Sequence, residues 1–206
     1  MTERVEAAAR RAGRDPSCVT LVAVTKTRPL EDLLAAYEAG VRHFGENRVQ
    51  EAEAKFPHLP GDAVKHLVGE LQSNKTNRAA RLADVLHAVG TEDTALRLAR
   101  AAGSQGRRLA VYLEVNTGGE ETKAGVSPAG APALVEAIRA LPELDLRGLM
   151  AIPPPGDTRP YFVALRSLAA TLGLTGLSMG MSDDFEAAIE EGATVVRIGT
   201  ALFGRR

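Results

Sequence analysis

The chain has 206 residues, 45% hydrophobic and 25% charged, which is ordinary for a globular domain with a substantial core. A formal net charge of -1 provides no field for nucleic acid or an anionic membrane, and the clusters Arg10, Arg11, Arg14 and Arg205-Arg206 read as solvated. Cys18 is the single cysteine, which excludes an internal disulfide and a multi-cysteine metal site. No signal-peptide pattern opens the chain and its apolar runs are strand-sized, so a cytoplasmic protein without a membrane span is expected.

In chain order, Val5, Ala8, Ala9 and Ala12 share one face of an N-terminal helix that ends at Gly13. "VTLVAV" is the first strand; Lys26 and Arg28 follow it before Pro29 ends any extension. Leu30, Leu33, Leu34 and Tyr37 fall on one side of the next helix, which stops at Gly40. "VRHFGEN", "KHLVGE" and "DVLHAVG" are the next three strands, separated by the helical "VQEAEAKF" and "NKTNRAARLA". Thr91 is placed to cap "EDTALRLARAAG".

"RLAVYLEVN" is the clearest strand, and the loop "TGGEETKAGVSPAGAP" leads from it to the helix "ALVEAIRAL". "LDLRGLMAI", broken by Pro153, Pro154 and Pro155, is the sixth strand. A helix with Phe162, Leu165, Leu168 and Leu172 on one side precedes the short seventh strand "GLSMG". Ser182 or Asp183 is the expected cap of "DFEAAIEEGA", and "TVVRIGT" is the eighth strand.

No composition shift divides residues 1–206, so one domain is expected. Eight strands alternating with helices predict an α/β fold, a single (β/α)8 TIM barrel with an extra N-terminal helix. A doubly wound sheet explains the alternation equally, but it usually carries a glycine-rich phosphate loop after its first strand. Here that position reads "TKTRP", without glycine.

In such a barrel the functional groups sit at the C-terminal ends of strands. That edge carries Lys26, Glu46, Asn47, the segment from Glu70 to Asn74, Asn116, Met150, the segment from Ser178 to Ser182, Arg197, Gly199 and Thr200. "SMGMS" and "RIGT" place small residues where backbone N–H groups can approach an anion, at the habitual phosphate site of this architecture. The helix starting near Asp183 adds its N-terminal dipole. A phosphate cup facing a strand-end lysine suits two chemistries. One is a Schiff-base aldolase using Glu46 or Glu70 as acid and base. The other is pyridoxal 5′-phosphate (PLP), with Lys26 as the imine partner and Arg197 near the pyridine nitrogen. Spacing leaves both open.

The segments "VAVTKTRP", "HFGENRVQEA", "HLVGELQSNK", "GLMAI" and "LSMGMSDDFEAAIEEGATVVRIGTALFG" together resemble the PLP homeostasis protein family, single-domain proteins similar to the barrel of alanine racemase. The resemblance runs from about Val19 to Gly204, with the segments in family order. It implies that Lys26 forms the internal aldimine and that Ser178, Gly199 and Thr200 surround the phosphate, with Gly180 and Ser182 in the same loop. It further implies Arg197 beside the pyridine ring and Asn47 near the cofactor. Lys65, where the family usually has an aromatic residue, and Ala79, where an aliphatic one is common, depart from the pattern away from the site.

Other residues read as structure. His66, His43 and His87 are interior histidines without metal-ligand spacing, and Met179 and Met181 are packing residues. The segment from Gln72 to Lys75 reads as the cap of the following helix, with an approach to the cofactor mouth as the alternative, and Lys123 as a solvated or lid residue of a polar loop. PLP enzymes that move amino-acid protons need bases on both faces of the cofactor. The chain ends at Arg206, directly after its eighth strand, and Tyr37, Tyr112 and Tyr161 are not placed as a second base. The resemblance therefore implies a carrier without turnover, a monomer or weak homodimer that binds PLP and delivers it to apo-enzymes. A racemase or lyase of low activity is the alternative.

Overall fold

The structure, a computed structural model, describes residues 1–120 and 123–204. Its strands are β1 (Thr20–Val24), β2 (His43–Glu46), β3 (Val64–Leu67), β4 (Val85–Val89), β5 (Leu109–Glu114), β6 (Leu144–Met150), β7 (Gly176–Ser178) and β8 (Val195–Ile198). All pair in parallel and in sequence order, and β8 closes on β1 with Ala23 opposite Ile198. The predicted barrel is the fold.

The helices are α1 (Thr2–Arg11), α2 (Leu30–Glu38), α3 (Val49–Lys55), α4 (Thr76–Leu82), α5 (Glu92–Gly103), α6 (Ala131–Arg139), α7 (Arg159–Thr171), α8 (Phe185–Glu190) and α9 (Thr200–Phe203). The extra helix α1 packs on α8 through Val5, Ala8 and Ala9. Among the described residues no helix is long and apolar enough to cross a membrane.

Strand alternation divides the core into two layers. Val22, Val68, Ala88, Tyr112, Met150 and Val195 fill the barrel, while Ala23, Phe44, Leu67, Leu86, Leu113, Leu149, Leu177 and Val196 face the helices. Each fully buried leucine or phenylalanine of the outer layer contributes about 2 kcal/mol. That layer offsets the polar groups that the interior carries. Gly148 and Gly176 are paired across β6 and β7, where neither has room for a side chain. A Cβ on Gly148 would lie 1.9 Å from the Gly176 carbonyl oxygen.

Thr91 caps α5 as expected, its hydroxyl accepting from the Thr94 N–H at 3.2 Å. Three local expectations are corrected. Leu34 is 37% exposed, because Leu33 and the partly buried Ala36 and Tyr37 carry the packing of α2. The N-cap of α8 is Asp184 rather than Ser182 or Asp183, and its carboxylate accepts from the Met181 N–H at 2.6 Å. Gln72 precedes a 3-10 turn (Ser73–Lys75), and none of these side chains caps α4. Arg205-Arg206 and positions 121 and 122 of the β5–α6 loop lie outside the described residues.

Candidate functional site

A cavity of about 510 Å³ opens at the C-terminal ends of the strands. Lys26, Asn47, Glu70, Asn116, Ser182, Arg197, Gly199 and Thr200 line it, so strand-end residues from around the barrel meet there. Gln72, Ser73, Asn74 and Met150 do not; Met150 is fully buried inside the barrel. Met179 packs in the core, whereas Met181 lines the cavity and is 40% exposed, so it is not a packing residue. Lys123 lines the cavity in an ion pair with Glu120.

Lys26 stands just beyond β1. Its neighbour Thr25 is buried, and the Thr25 hydroxyl donates to Glu46 Oε1 at 2.7 Å. Glu46 therefore faces the helices, where the Lys55 ammonium donates to the same oxygen at 2.7 Å. The alternation of β2 turns Glu46 away from the cavity, whereas Glu70 lies on its wall.

The two loops of the expected phosphate cup are joined, because Ser182 Oγ accepts from the Ala201 N–H at 3.1 Å. Ser182 and Thr200 put hydroxyls on the wall and Gly199 lies between Arg197 and Thr200. Ser178 and Gly180 do not line it. Gly180 has φ 91°, and a Cβ there would lie 2.5 Å from Ala188 Cβ, so its role is the close packing of the loop on α8. Ser178 is fully buried beneath the floor, where its hydroxyl accepts from Arg197 Nη1 at 2.6 Å. That hydroxyl is engaged by Arg197 and His87 and does not reach the cavity wall.

Arg197 forms the floor. Nη1 also donates to the Ser178 carbonyl at 2.7 Å, and Nη2 to the Ala151 carbonyl at 3.1 Å. Burial lowers its pKa to about 10, against the pull of Glu114 and Asp184, so the guanidinium stays charged at neutral pH.

Beneath Arg197 a chain of hydrogen bonds crosses the barrel interior. Ser178 Oγ meets His87 Nδ1 at 2.8 Å, His87 Nε2 meets His66 Nδ1 at 2.9 Å, and His66 Nε2 meets His43 Nδ1 at 3.0 Å. Arginine only donates, so the Ser178 hydroxyl must pass its own proton toward His87. His87 and His66 then donate from Nε2, and the chain has one direction. Burial lowers all three imidazoles, His66 to about 3, which keeps them neutral. They are interior histidines, as the sequence indicates, and they hold the group that holds Arg197.

The sequence reading passes over Glu114. It ends β5, lines the cavity, is 8% exposed, and no described residue hydrogen-bonds its carboxyl. Burial raises its pKa to about 7, with Arg197 pulling down and Glu70 pushing up. A signal was present: a carboxylate two residues before Asn116, on the same face, inside an apolar strand. The cavity thus offers a primary amine, a fixed guanidinium floor, hydroxyls on two joined loops and the buried carboxyl of Glu114. This donor set fits an anionic aromatic aldehyde.

The family model of the alanine racemase N-terminal domain matches residues 1–206. The chain is 49% identical to a pyridoxal phosphate homeostasis protein of Pseudomonas aeruginosa, over 98% of this chain and 91% of that protein. It is 43% identical to one of Aquifex aeolicus, over 99% and 94%. The structure of PipY from Synechococcus elongatus with PLP bound is 42% identical, with a TM-score of 0.85 over 98% of this chain and 99% of PipY. An alanine racemase of Clostridium difficile, 15% identical with a TM-score of 0.77 over 99% of this chain and 55% of its own, shares the fold. The chain belongs to the pyridoxal phosphate homeostasis protein family, built on the barrel of the alanine racemase N-terminal domain.

Proposed function

We propose that the protein binds PLP in this cavity, in the cytoplasm as a monomer or weak homodimer, and buffers or delivers it to apo-enzymes without turning over a substrate. The observation that carries the reading is a single cavity presenting Lys26, Arg197 and the joined hydroxyl loops of Ser182 and Thr200. Bound there, the cofactor would supply an aldehyde for attachment and a ring able to accept negative charge. Lys26 Nζ would be the amine that holds the aldehyde. Ser182, Gly199 and Thr200 hold the phosphate, and Asn47 contributes to the wall beside them. Ser178 and Gly180 act from beneath by fixing Arg197 and the loop.

Arg197 would be the group nearest the ring nitrogen, a donor with no basic site of its own. A ring beside it would stay unprotonated and be a weak electron sink. Tyr37 is hydrogen-bonded to Asp62 outside the barrel, Tyr112 stacks on His87 inside it, and Tyr161 lies on α7. None lines the cavity, so no tyrosine serves as a second base. A low-activity racemase or lyase is the second reading, favoured by Glu114, whose pKa of about 7 suits proton transfer at neutral pH.

Purified protein loaded with PLP is expected to be yellow, and borohydride should fix a pyridoxyl group on Lys26, identified by peptide mass spectrometry. Alanine and serine should show no racemisation above the free-cofactor background. Label on Lys75 or Lys123 with Lys26 unmodified would overturn the site. Turnover abolished by Lys26→Ala would establish the second reading.

A further inference from the structure

Lys26 is carried on a turn that its own sequence disfavours. Thr27 has φ 62°, the left-handed region that a β-branched residue enters only against a steric cost. The outer side of the barrel over-determines this conformation. The Thr27 N–H donates to Glu51 Oε2 at 2.6 Å. The Lys55 ammonium donates to the Thr25 carbonyl at 2.9 Å, to Glu46 Oε1 at 2.7 Å and to Glu51 Oε2 at 3.3 Å. The Thr25 hydroxyl donates to the same Glu46 oxygen at 2.7 Å. Glu51 and Lys55 lie one turn apart on α3, and Glu46 ends β2. Groups from two neighbouring elements therefore grip the backbone on both sides of Lys26.

None of Glu46, Glu51 and Lys55 lines the cavity. As a device for stability the cluster is a poor choice. The Lys55 and Glu46 side chains are 10% and 0% exposed, Glu46 Oε2 has no hydrogen-bond partner among the described residues, and apolar residues commonly replace such buried pairs without loss. What the cluster provides instead is direction. A relaxed Thr27 would rotate the adjoining peptide and swing the Lys26 side chain off its line into the cavity.

We propose that Glu51, Lys55 and Glu46 form a clamp that holds the strained turn from Thr25 to Thr27, making them positioning residues for covalent attachment at Lys26. The proposal rests on the reading of Lys26 as the attachment point. Its consequence is a separation of covalent from non-covalent binding, because the clamp touches neither the phosphate loops nor the floor.

The test compares wild type, Glu51→Ala, Glu51→Gln and Glu51→Ala combined with Thr27→Gly. The rate of attachment is followed by stopped-flow absorbance, and the trapped peptide is identified. Equilibrium binding of pyridoxine 5′-phosphate, which has ring and phosphate but no aldehyde, is measured in parallel. Glu51→Ala should slow attachment by about tenfold while leaving affinity for pyridoxine 5′-phosphate within about twofold. Glu51→Gln, which keeps a neutral acceptor, should fall between. Adding Thr27→Gly should restore most of the rate, because glycine enters the left-handed region freely. An unaffected rate in Glu51→Ala, a proportional loss of pyridoxine 5′-phosphate affinity, or no rescue by Thr27→Gly would overturn the clamp. Wild-type label on another lysine would overturn the site and the clamp together, whereas correct wild-type labelling isolates the clamp.

Discussion

Ser178 and Ser182 are four positions apart and chemically identical, yet they meet different surroundings. Ser178 ends β7 on its inward face, where Arg197 and His87 take up its hydroxyl. Ser182 lies in the loop beyond, on the cavity wall, accepting from a backbone N–H and keeping its own proton to donate. Hydrogen bonds to charged groups contribute about 1.5–3 kcal/mol. Ser182→Ala should therefore weaken PLP binding by roughly ten- to a hundred-fold and hardly affect pyridoxal, which lacks the phosphate. Ser178→Ala should weaken both ligands alike and shift the bound absorption band, since it loosens the floor. Titration of both variants with both ligands checks this; a phosphate-selective loss in Ser178→Ala alone would return the anion to that residue. Motif resemblance marks "SMGMS" as a unit but not which serine is free, because strand alternation and loop geometry decide that.

Elements were legible where their signals are local. Thr91 caps α5 because a capping hydroxyl needs only the next turn of its own helix. Leu34 and the start of α8 escaped because they depend on which neighbour covers a face and where a loop turns its carboxylate. The β6–β7 pair gives a sharper case. "RGLM" and "TGLSM" show glycines that ordinarily weaken strands, and only the paired backbones reveal that a Cβ on Gly148 has no room. The obstructing atoms are backbone and cannot rotate away. Gly148→Ala should therefore destabilise the protein by about 2–4 kcal/mol. Urea denaturation would show this as a lower midpoint with unchanged slope; an equal or higher midpoint would mean that the strands can separate without loss.

The whole molecule answers to pH through buried groups of opposite sign, of which His66 and Glu114 are an instance of each. His66 titrates at about 3 in the folded barrel against an ordinary 6.5, so the unfolded chain takes up the proton first. Stability should fall as pH drops below about 6.5, by about 1.4 kcal/mol per pH unit for this one histidine, until about pH 3. Glu114 runs the other way. Its folded value of about 7 exceeds the ordinary 4.5, so its contribution is full below 4.5 and is lost as pH rises through 7. Cofactor-free Glu114→Gln should accordingly lose the stabilisation that wild type gains through this carboxyl as pH falls from about 7 to 4.5. Thermal unfolding across pH 4 to 8 measures both effects. Coincident wild-type and Glu114→Gln profiles would show that the Glu114 carboxyl is not held neutral by burial.

The order of amino acids by itself determined the alternation of strands and helices, the lysine at the tip of the first strand and the small residues of the last two loops. Hydrophobic period, turn chemistry and strand-end position are properties of short stretches, and together they admit few folds besides a parallel barrel. Tertiary structure alone decided which polar residues face the cavity. Glu46 and Glu114 both end strands, yet Glu46 pairs with Lys55 under the helices while Glu114 stands on the cavity wall. It also joined His43, His66, His87, Ser178 and Arg197, drawn from five strands, into one directed chain. Closure of the barrel sets which strands are neighbours and at what register, and no single stretch of the chain carries that information.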